Sequence, residues 1–305
     1  MTGRKVREKF LNAVKRLIPV PIKNVLKGVL IGLRARLSGA QSSEDYWTQC
    51  NVTRHHNFDS AEESLAYLDW RNRQYLGYIE LMPVAGHDDK VILDYGCGPG
   101  HDIVGFAHFS RPARLIAMDV SLPSLGEARQ RMGLHGYEAE YVHISENAGR
   151  LPLEDDSIDL IHSSGVLHHT PDPKRILREF ARVLRPDGSA QIMVYNYDSI
   201  FVHLYAAYQK MIVEGAYRGL TLRQAFSKLT DGESCPISEC YTPAEFAATA
   251  ESAGFKCAFS RRDSTLLPTD GCRRRAGHFF AISPSMTKDD RSTAVRSPAS
   301  MPVIA

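Results

Sequence analysis

A run of apolar β-formers ends in an acid and three alternating glycines: VILDYGCGPGHD, Val91 to Asp102. Glycines in that pattern let the backbone turn through positive φ and let a ligand come close to it. A strand that runs straight into such a turn, with Asp102–Phe109 able to form a helix behind it, is the opening unit of a parallel α/β sheet. The chain then repeats the rhythm. Leu115–Val120 predicts a second strand ending at Asp119, and Ser121 caps a helix through Arg131. Tyr141–Ile144 and Ile158–Ser163 predict strands three and four. A helix follows over Pro173–Leu184, and RPDG (Arg185–Gly188) reads as a turn into a fifth strand, Ala190–Tyr195. Helices of roughly 10–15 residues between strands argue for a doubly wound, mostly parallel sheet.

Two more strands are expected at Phe255–Arg261 and Gly277–Ile282, after an N-capped helix in TPAEFAATAESAGF (Thr242–Phe255). The fold class is therefore α/β, a Rossmann-like doubly wound seven-stranded sheet with an antiparallel last strand and a helical N-terminal extension. The expected organisation is basic amphipathic helices and a linker over 1–43 and a main domain over 44–283. That domain takes in a helical cap at 44–85 and an insertion at 198–240. A Ser/Pro/Thr-rich tail, 284–305, is expected to be disordered. Within the cap, Tyr46–Leu81 reads as helical, with Trp47, Phe58, Tyr67, Trp70 and Tyr75 as apolar points.

The formal net charge of +2 hides an asymmetry. Residues 1–40 hold ten Lys/Arg against Glu8 alone, a net of +9; the other 27 bases and 34 acids leave −7 on residues 41–305. In the arm, Ile22, Val25, Leu26, Val29, Leu30, Leu33 and Leu37 follow helical spacing. That pattern suits peripheral contact with a membrane surface, a lid or a dimer contact, and a solvated basic face is the plain alternative. With an acidic body, nucleic acid is not the expected partner; the oligomeric state is not legible. No apolar run reaches 18 residues and no leader-like segment stands out, so the expected location is cytoplasmic, with a peripheral place on the inner membrane face if the arm binds lipid. Six cysteines show no CxxC pair and no zinc spacing, Cys235, Cys240 and Cys272 included. All read as reduced thiols, and no metal is expected.

The turn alone is weak: the dinucleotide fingerprint is G-x-G-x-x-G, whereas Gly96, Gly98 and Gly100 give G-x-G-x-G. Asp94, two residues before the first glycine, would repel a pyrophosphate and suits a ligand bearing an ammonium and a sulfonium. Asp119, 21 residues after Gly98, ends the neighbouring strand where a carboxylate can take ribose hydroxyls. Cys97 sits inside the turn, where a small side chain fits.

Together with LIAMDVS and AGRLPLEDDSIDLIHSSGVLHHTPDPKRILREFARVLRPDG, the glycine turn resembles the class I S-adenosylmethionine-dependent methyltransferases, in the small-molecule branch that includes the ubiquinone/menaquinone-type enzymes. The resemblance covers about residues 90–197. It implies S-adenosyl-L-methionine as cofactor, with Asp94, Gly96, Gly98 and Gly100 at its methionine part, Asp119 at the ribose and Val120 packed on adenine. It also places Asn147 and Ala148 at the adenine amino group, although this sequence has Asn147 where the family commonly has Asp. An amide oxygen still accepts there. HSSGVLHH (His162–His169) would face the methyl group, Ser163 and Ser164 lining the cofactor and His168 or His169 available as a base. Alignment of the reactants can suffice for methyl transfer, so neither histidine is required. The expected activity is methyl transfer to a small-molecule, lipid-linked or amphiphilic acceptor, at O, N or C. A non-catalytic S-adenosylmethionine-binding protein and an NAD(P)-dependent oxidoreductase are the alternatives.

Overall fold

The computed structural model describes residues 42–53, 55–73, 78–257 and the backbone of 279–288. The basic arm of 1–40, Tyr75 and Cys272 lie outside these residues. Five parallel strands form the frame: β1 (Val91–Tyr95), β2 (Arg114–Asp119), β3 (Glu140–His143), β4 (Ile158–Ser164) and β5 (Leu184–Tyr195). Their order is β3-β2-β1-β4-β5, so the chain winds outward from β1 in both directions. In register, Leu93 faces Ile116 on one side and Ile161 on the other.

Side chains alternate across a strand, and the burial follows. Leu93 and Tyr95 enter one core, with Ile176, Leu177, Phe180 and Val183 of a helix at Pro173–Val183. Ile92 enters the other, with Ile103, Val104 and Phe106 of a helix at His101–Phe109 and Leu125 and Met132 of a helix at Leu122–Leu134. Both faces of the sheet are thus covered, as parallel sheets require.

Among the described residues the α-helices are, in chain order, α1 (Ser43–Gln49), α2 (Ala61–Arg73), α3 (Tyr78–Leu81), α4 (His101–Phe109), α5 (Leu122–Leu134), α6 (Pro173–Val183), α7 (Leu222–Thr230) and α8 (Pro243–Glu251). A thirteen-residue π-helix, Phe201–Val213, precedes α7. Sequence punctuation explains several ends. Ser121 caps α5 by accepting from the Ser124 N–H. Asp172 caps α6 with Pro173 in its first turn. Thr242 and Glu245 form a reciprocal capping box at α8.

Two expectations are corrected, and a third holds inside a longer strand. Tyr46–Leu81 is not one helical stretch. Asn51 breaks it by donating to Glu127 Oε2 (2.7 Å) and accepting the His55 N–H (2.8 Å), which pins the chain to α5. RPDG turns as expected, but inside β5 rather than ahead of it: Arg185 O lies 3.0 Å from where a Cβ on Gly188 would stand, and the pairing with β4 steps from Ile158–Leu184 directly to Leu160–Ser189, so Arg185–Gly188 forms a bulge. The backbone of β7 (Phe279–Lys288) lies antiparallel to β5, with Tyr195 opposite Phe279, and β6 (Phe255–Lys256) pairs with its far end. The strand therefore takes in Pro284–Lys288, residues expected from their composition to belong to the tail.

The cap is held by Arg131, fully buried on α5. It donates to Ser64 O and Ser64 Oγ (both 2.7 Å) and lies 4.5 Å from the Phe58 ring centroid. The insertion docks on β5 through Tyr195, Phe201, Val202, Phe226 and Cys240.

Candidate functional site

The carboxyl ends of β1, β2 and β4 meet at one place, where a crevice forms in such sheets. Gly96, Gly98 and Gly100 have φ of 75°, 52° and 83°, a region costly for other residues. The N–H groups of Gly96 and Cys97 both donate to Met118 O, at 2.7 and 3.1 Å, tying the turn to β2. A Cβ at Gly96 would run into the Val166 side chain, and one at Gly100 would crowd Ala128 at 3.0 Å. At Gly98 nothing lies within 4 Å of that position, so the tip of the turn faces open space. Cys97 is buried, and burial pushes its thiol well above the usual range, leaving a small packed side chain with no reactivity.

Asp119 closes the turn. Its Oδ2 accepts the Gly98 N–H and its Oδ1 the Ser121 N–H, both at 2.8 Å. Burial raises its carboxyl pKa, and these N–H groups oppose the rise. A carboxylate offers about four acceptor directions, so both oxygens retain capacity toward a ligand.

Asp94, buried on β1 opposite Ala117 and His162, has an Oδ2 with no hydrogen-bond partner among the described residues. Burial pushes its carboxyl up to about 7; His162 and Arg71 pull it down, and Asp102 and Asp119 push it further up. Beside it lies a charged network that sequence reasoning missed. Arg71 Nη2 donates to Asp102 Oδ1 at 2.5 Å, and His162 Nε2 lies 3.4 Å from Asp102 Oδ2. Tyr78 donates to Asp102 at 3.4 Å and shares a 2.7 Å hydrogen bond with Ser164. Burial works against the Asp102 carboxylate, yet Arg71 and His162 hold its pKa well below the ordinary range. Burial also works against charge on His162, and Asp102 overcomes it and raises that ring. A histidine inside an apolar strand run was the one available sequence signal.

Val120 follows β2 and packs against the core. Ala148 lines a small cleft with Tyr95, Ile144, Leu151 and Arg175. Asn147 is exposed; its N–H donates to Ser145 Oγ and its carbonyl accepts Arg175 Nη1 (both 3.4 Å). Ser163 is fully buried at the end of β4, its hydroxyl without a partner among the described residues.

His168 and His169 occupy a 3₁₀ turn, Leu167–His169. His168 stacks on Tyr195 at 3.8 Å, and neither ring nitrogen has a partner among the described residues. Burial, then His169, pushes it well below the usual histidine range, so the ring is neutral at physiological pH. His169 is engaged on both sides: Nδ1 lies 2.7 Å from Ile237 O, and Nε2 faces Asp231 Oδ2 at 3.8 Å. The structure thus gathers Asp94 and Asp119 around the turn of Gly96, Cys97, Gly98 and Gly100, leaves Ser163 and His168 with side-chain polar atoms unpartnered among the described residues, and directs His169 into the protein.

A family described as "Methyltransferase domain" matches residues 93–192. A 37.1 kDa uncharacterized protein of a Streptomyces fradiae transposon is 39% identical over 112 residues, 36% of this chain and 31% of that protein. Ubiquinone biosynthesis O-methyltransferase of Aeromonas salmonicida is 30% identical over 167 residues, 54% of this chain and 62% of that protein. The chain spans less than two thirds of these relatives. A solved S-adenosylmethionine-dependent methyltransferase of Aquifex aeolicus superposes with a TM-score of 0.43 at 17% identity, covering 66% of this chain and 91% of that one.

Proposed function

We propose that this chain, whose residues 93–192 are a class I S-adenosylmethionine-dependent methyltransferase domain, moves a methyl group from that cofactor to a small-molecule acceptor. One observation carries the reading: a buried carboxylate with an unspent oxygen, Asp94, stands behind a glycine turn whose tip at Gly98 faces open space. A cationic amino-acid moiety satisfies that carboxylate; a pyrophosphate would meet repulsion, which counts against the NAD(P) alternative.

When bound, S-adenosyl-L-methionine supplies a methyl group made electrophilic by its sulfonium. In this reading the protein's own groups do the rest. Asp94 pairs with the ammonium, the turn Gly96–Gly100 allows close approach, and Asp119 accepts the ribose hydroxyls. Val120 and Ala148 flank the adenine, with Asn147 at the rim, and Ser163 offers its free hydroxyl at the reacting end. His168, a buried neutral ring whose nitrogens have no hydrogen-bond partner among the described residues, is the group we assign to accept a hydrogen bond from an acceptor hydroxyl. His169, with both nitrogens turned toward protein groups, is set aside as a base.

The acceptor we favour is amphiphilic or lipid-linked. Leu204, Tyr205, Tyr208, Ile212 and Val213 are exposed on the π-helix that follows β5, and the arm of 1–40 is basic with apolar residues at helical spacing. No helix among the described residues is long and apolar enough to cross a membrane. The reading therefore places the protein in the cytoplasm, peripheral on the inner membrane face, and takes the sheet as seven strands with the last in chain order, β7, antiparallel. Sedimentation with anionic vesicles is expected for the full chain and lost when residues 1–40 are deleted; equal binding by the truncated protein would remove the arm from the proposal.

The cofactor assignment is tested by calorimetric titration with S-adenosylhomocysteine across pH. Asp94, facing His162, Asp102, Arg71 and Asp119, gains its charge as pH rises through about 7. Only the charged form pairs with an ammonium, so affinity rises with pH and is about tenfold weaker at pH 6 than at pH 8. A flat profile would take Asp94 out of the ligand's reach. Saturable binding of the analogue without turnover on any amphiphilic acceptor would favour the binding-only alternative.

A further inference from the structure

Away from the glycine turn, three side chains from two separate stretches of the chain converge on one point. His169 ends the turn after β4, Asp231 follows α7, and Cys235 lies four residues further on. One ligand atom of each, imidazole nitrogen, carboxylate oxygen and thiol sulfur, falls within 4.8 Å of the other two. His169 and Cys235 are buried and Asp231 is half-buried.

Hydrogen-bond direction makes this more than proximity. Ile237 O can only accept, so the 2.7 Å contact with His169 Nδ1 places the hydrogen on Nδ1. In the neutral ring Nε2 then presents a lone pair to Asp231 Oδ2 across 3.8 Å, beyond hydrogen-bond range. Two electron-rich atoms facing each other across that gap want a cation between them. The surroundings already supply outer support. Tyr195 donates to Asp231 Oδ1 at 3.1 Å and Ser238 to Asp231 Oδ2 at 2.7 Å. A histidine whose far nitrogen donates to a carbonyl, and a carboxylate oriented by hydroxyls, are the usual backing of metal ligands.

We infer that His169 Nε2, Asp231 and Cys235 Sγ form a binding site for a divalent borderline-soft cation, Zn²⁺ being the metal its N, O and S donors suit. Bonds of about 2.0–2.3 Å put tetrahedral ligand atoms about 3.3–3.8 Å apart, so the cluster closes by roughly an ångström on binding. Cys235 Sγ now points at Ile237 O (3.3 Å). On binding, its S–H breaks, the sulfur pair goes to the metal and one proton leaves to solvent. The fourth position is left to water or another donor. The site would act as a clasp. Ser43 Oγ donates to His169 O (2.9 Å) and Tyr46 to Asp231 O (2.5 Å), so a metal here would join the cap, the insertion and the turn after β4. The inference does not depend on methyl transfer.

The test uses the full chain, stripped with a chelator and dialysed, with Zn²⁺ and Co²⁺ as probes. One equivalent of Zn²⁺ is expected to bind, to raise Tm and to release a proton. Co²⁺ is expected to give intense tetrahedral visible bands with a thiolate charge-transfer band. Cys235→Ser removes the charge-transfer band, Asp231→Asn weakens Zn²⁺ binding at least tenfold, and Cys240→Ser changes neither. If wild-type protein, folded by circular dichroism, takes up neither metal stoichiometrically, the site does not exist. A thiolate band that survives Cys235→Ser overturns the assignment as well. Should that variant fail to fold, the wild-type Co²⁺ spectrum decides alone, since a site without sulfur gives no thiolate band.

Discussion

Asp119→Ala is expected to weaken S-adenosylhomocysteine binding by roughly 100- to 1,000-fold, about 2.7–4.1 kcal/mol. Hydrogen bonds to a charged group are worth about 1.5–3 kcal/mol each, and this carboxylate is proposed to make two to the ribose. The substitution also acts on the turn. Gly98 N–H and Ser121 N–H lose the oxygens that hold them at 2.8 Å, and Gly98 is the tip that faces open space. Two buried donors left without acceptors cost stability, so Tm falls by a few degrees while the fold persists. Asp119→Asn separates the two effects. Its single oxygen restores one N–H bond, but its amide NH₂ faces the other N–H donor, so binding stays weak while only part of the Tm returns. Calorimetry beside thermal melts reads both quantities. Unchanged affinity in Asp119→Ala would mean that the ligand does not touch the end of β2.

Why the sequence announced this end of the site and not its neighbour follows from range. Gly96, Gly98, Gly100 and Asp119 are legible because their constraints are local: a positive φ, a strand end, a cap. The alternation of Leu93 and Ile92 between two cores is also local, set by the pleat. RPDG is legible as a turn for the same local reason; what it does not reveal is that β5 begins before it, because the pairing of Leu184 with Ile158 is a contact with β4. Arg71, Tyr78, Asp102 and His162 come from the cap, α4 and β4, and only the tertiary fold brings them together. His169, Asp231 and Cys235 escape notice likewise, since a His–Asp–Cys set so widely spread along the chain has none of the spacing by which zinc sites are read. His168 and His169 form one dipeptide, yet the fold leaves the ring nitrogens of the first without hydrogen-bond partners among the described residues and pins the second, a difference no local pattern encodes.

The buried network offers the larger effect on folding. Arg71→Met is expected to cost about 3–5 kcal/mol, the range for removing one partner of a buried ion pair. In a domain of this size that lowers Tm by roughly 10 °C or more. Arg71 and Asp102 are nearly enclosed, their side chains 14% and 10% exposed, with 2.5 Å between Nη2 and Oδ1, so solvent does little to screen what remains. The guanidinium also lies 4.7 Å from the Tyr78 ring centroid, a contact that methionine replaces only in part. Most of the loss comes from Asp102, left charged with His162 as its remaining cationic neighbour. Arg71→Met with Asp102→Leu should therefore recover a good part of it, because no carboxylate is then stranded; strictly additive losses would show that the pair does not interact. The variant reaches the cofactor site as well. Arg71 is among the charges that pull the Asp94 carboxyl down, and without it that group titrates higher. The pH at which S-adenosylhomocysteine binding gains strength should then move upward in Arg71→Met, with the high-pH affinity little changed. A network on a cap helix would thus set both how firmly the fold holds and the pH at which its glycine turn accepts a ligand. Melts and a pH series of titrations on one variant test the two together.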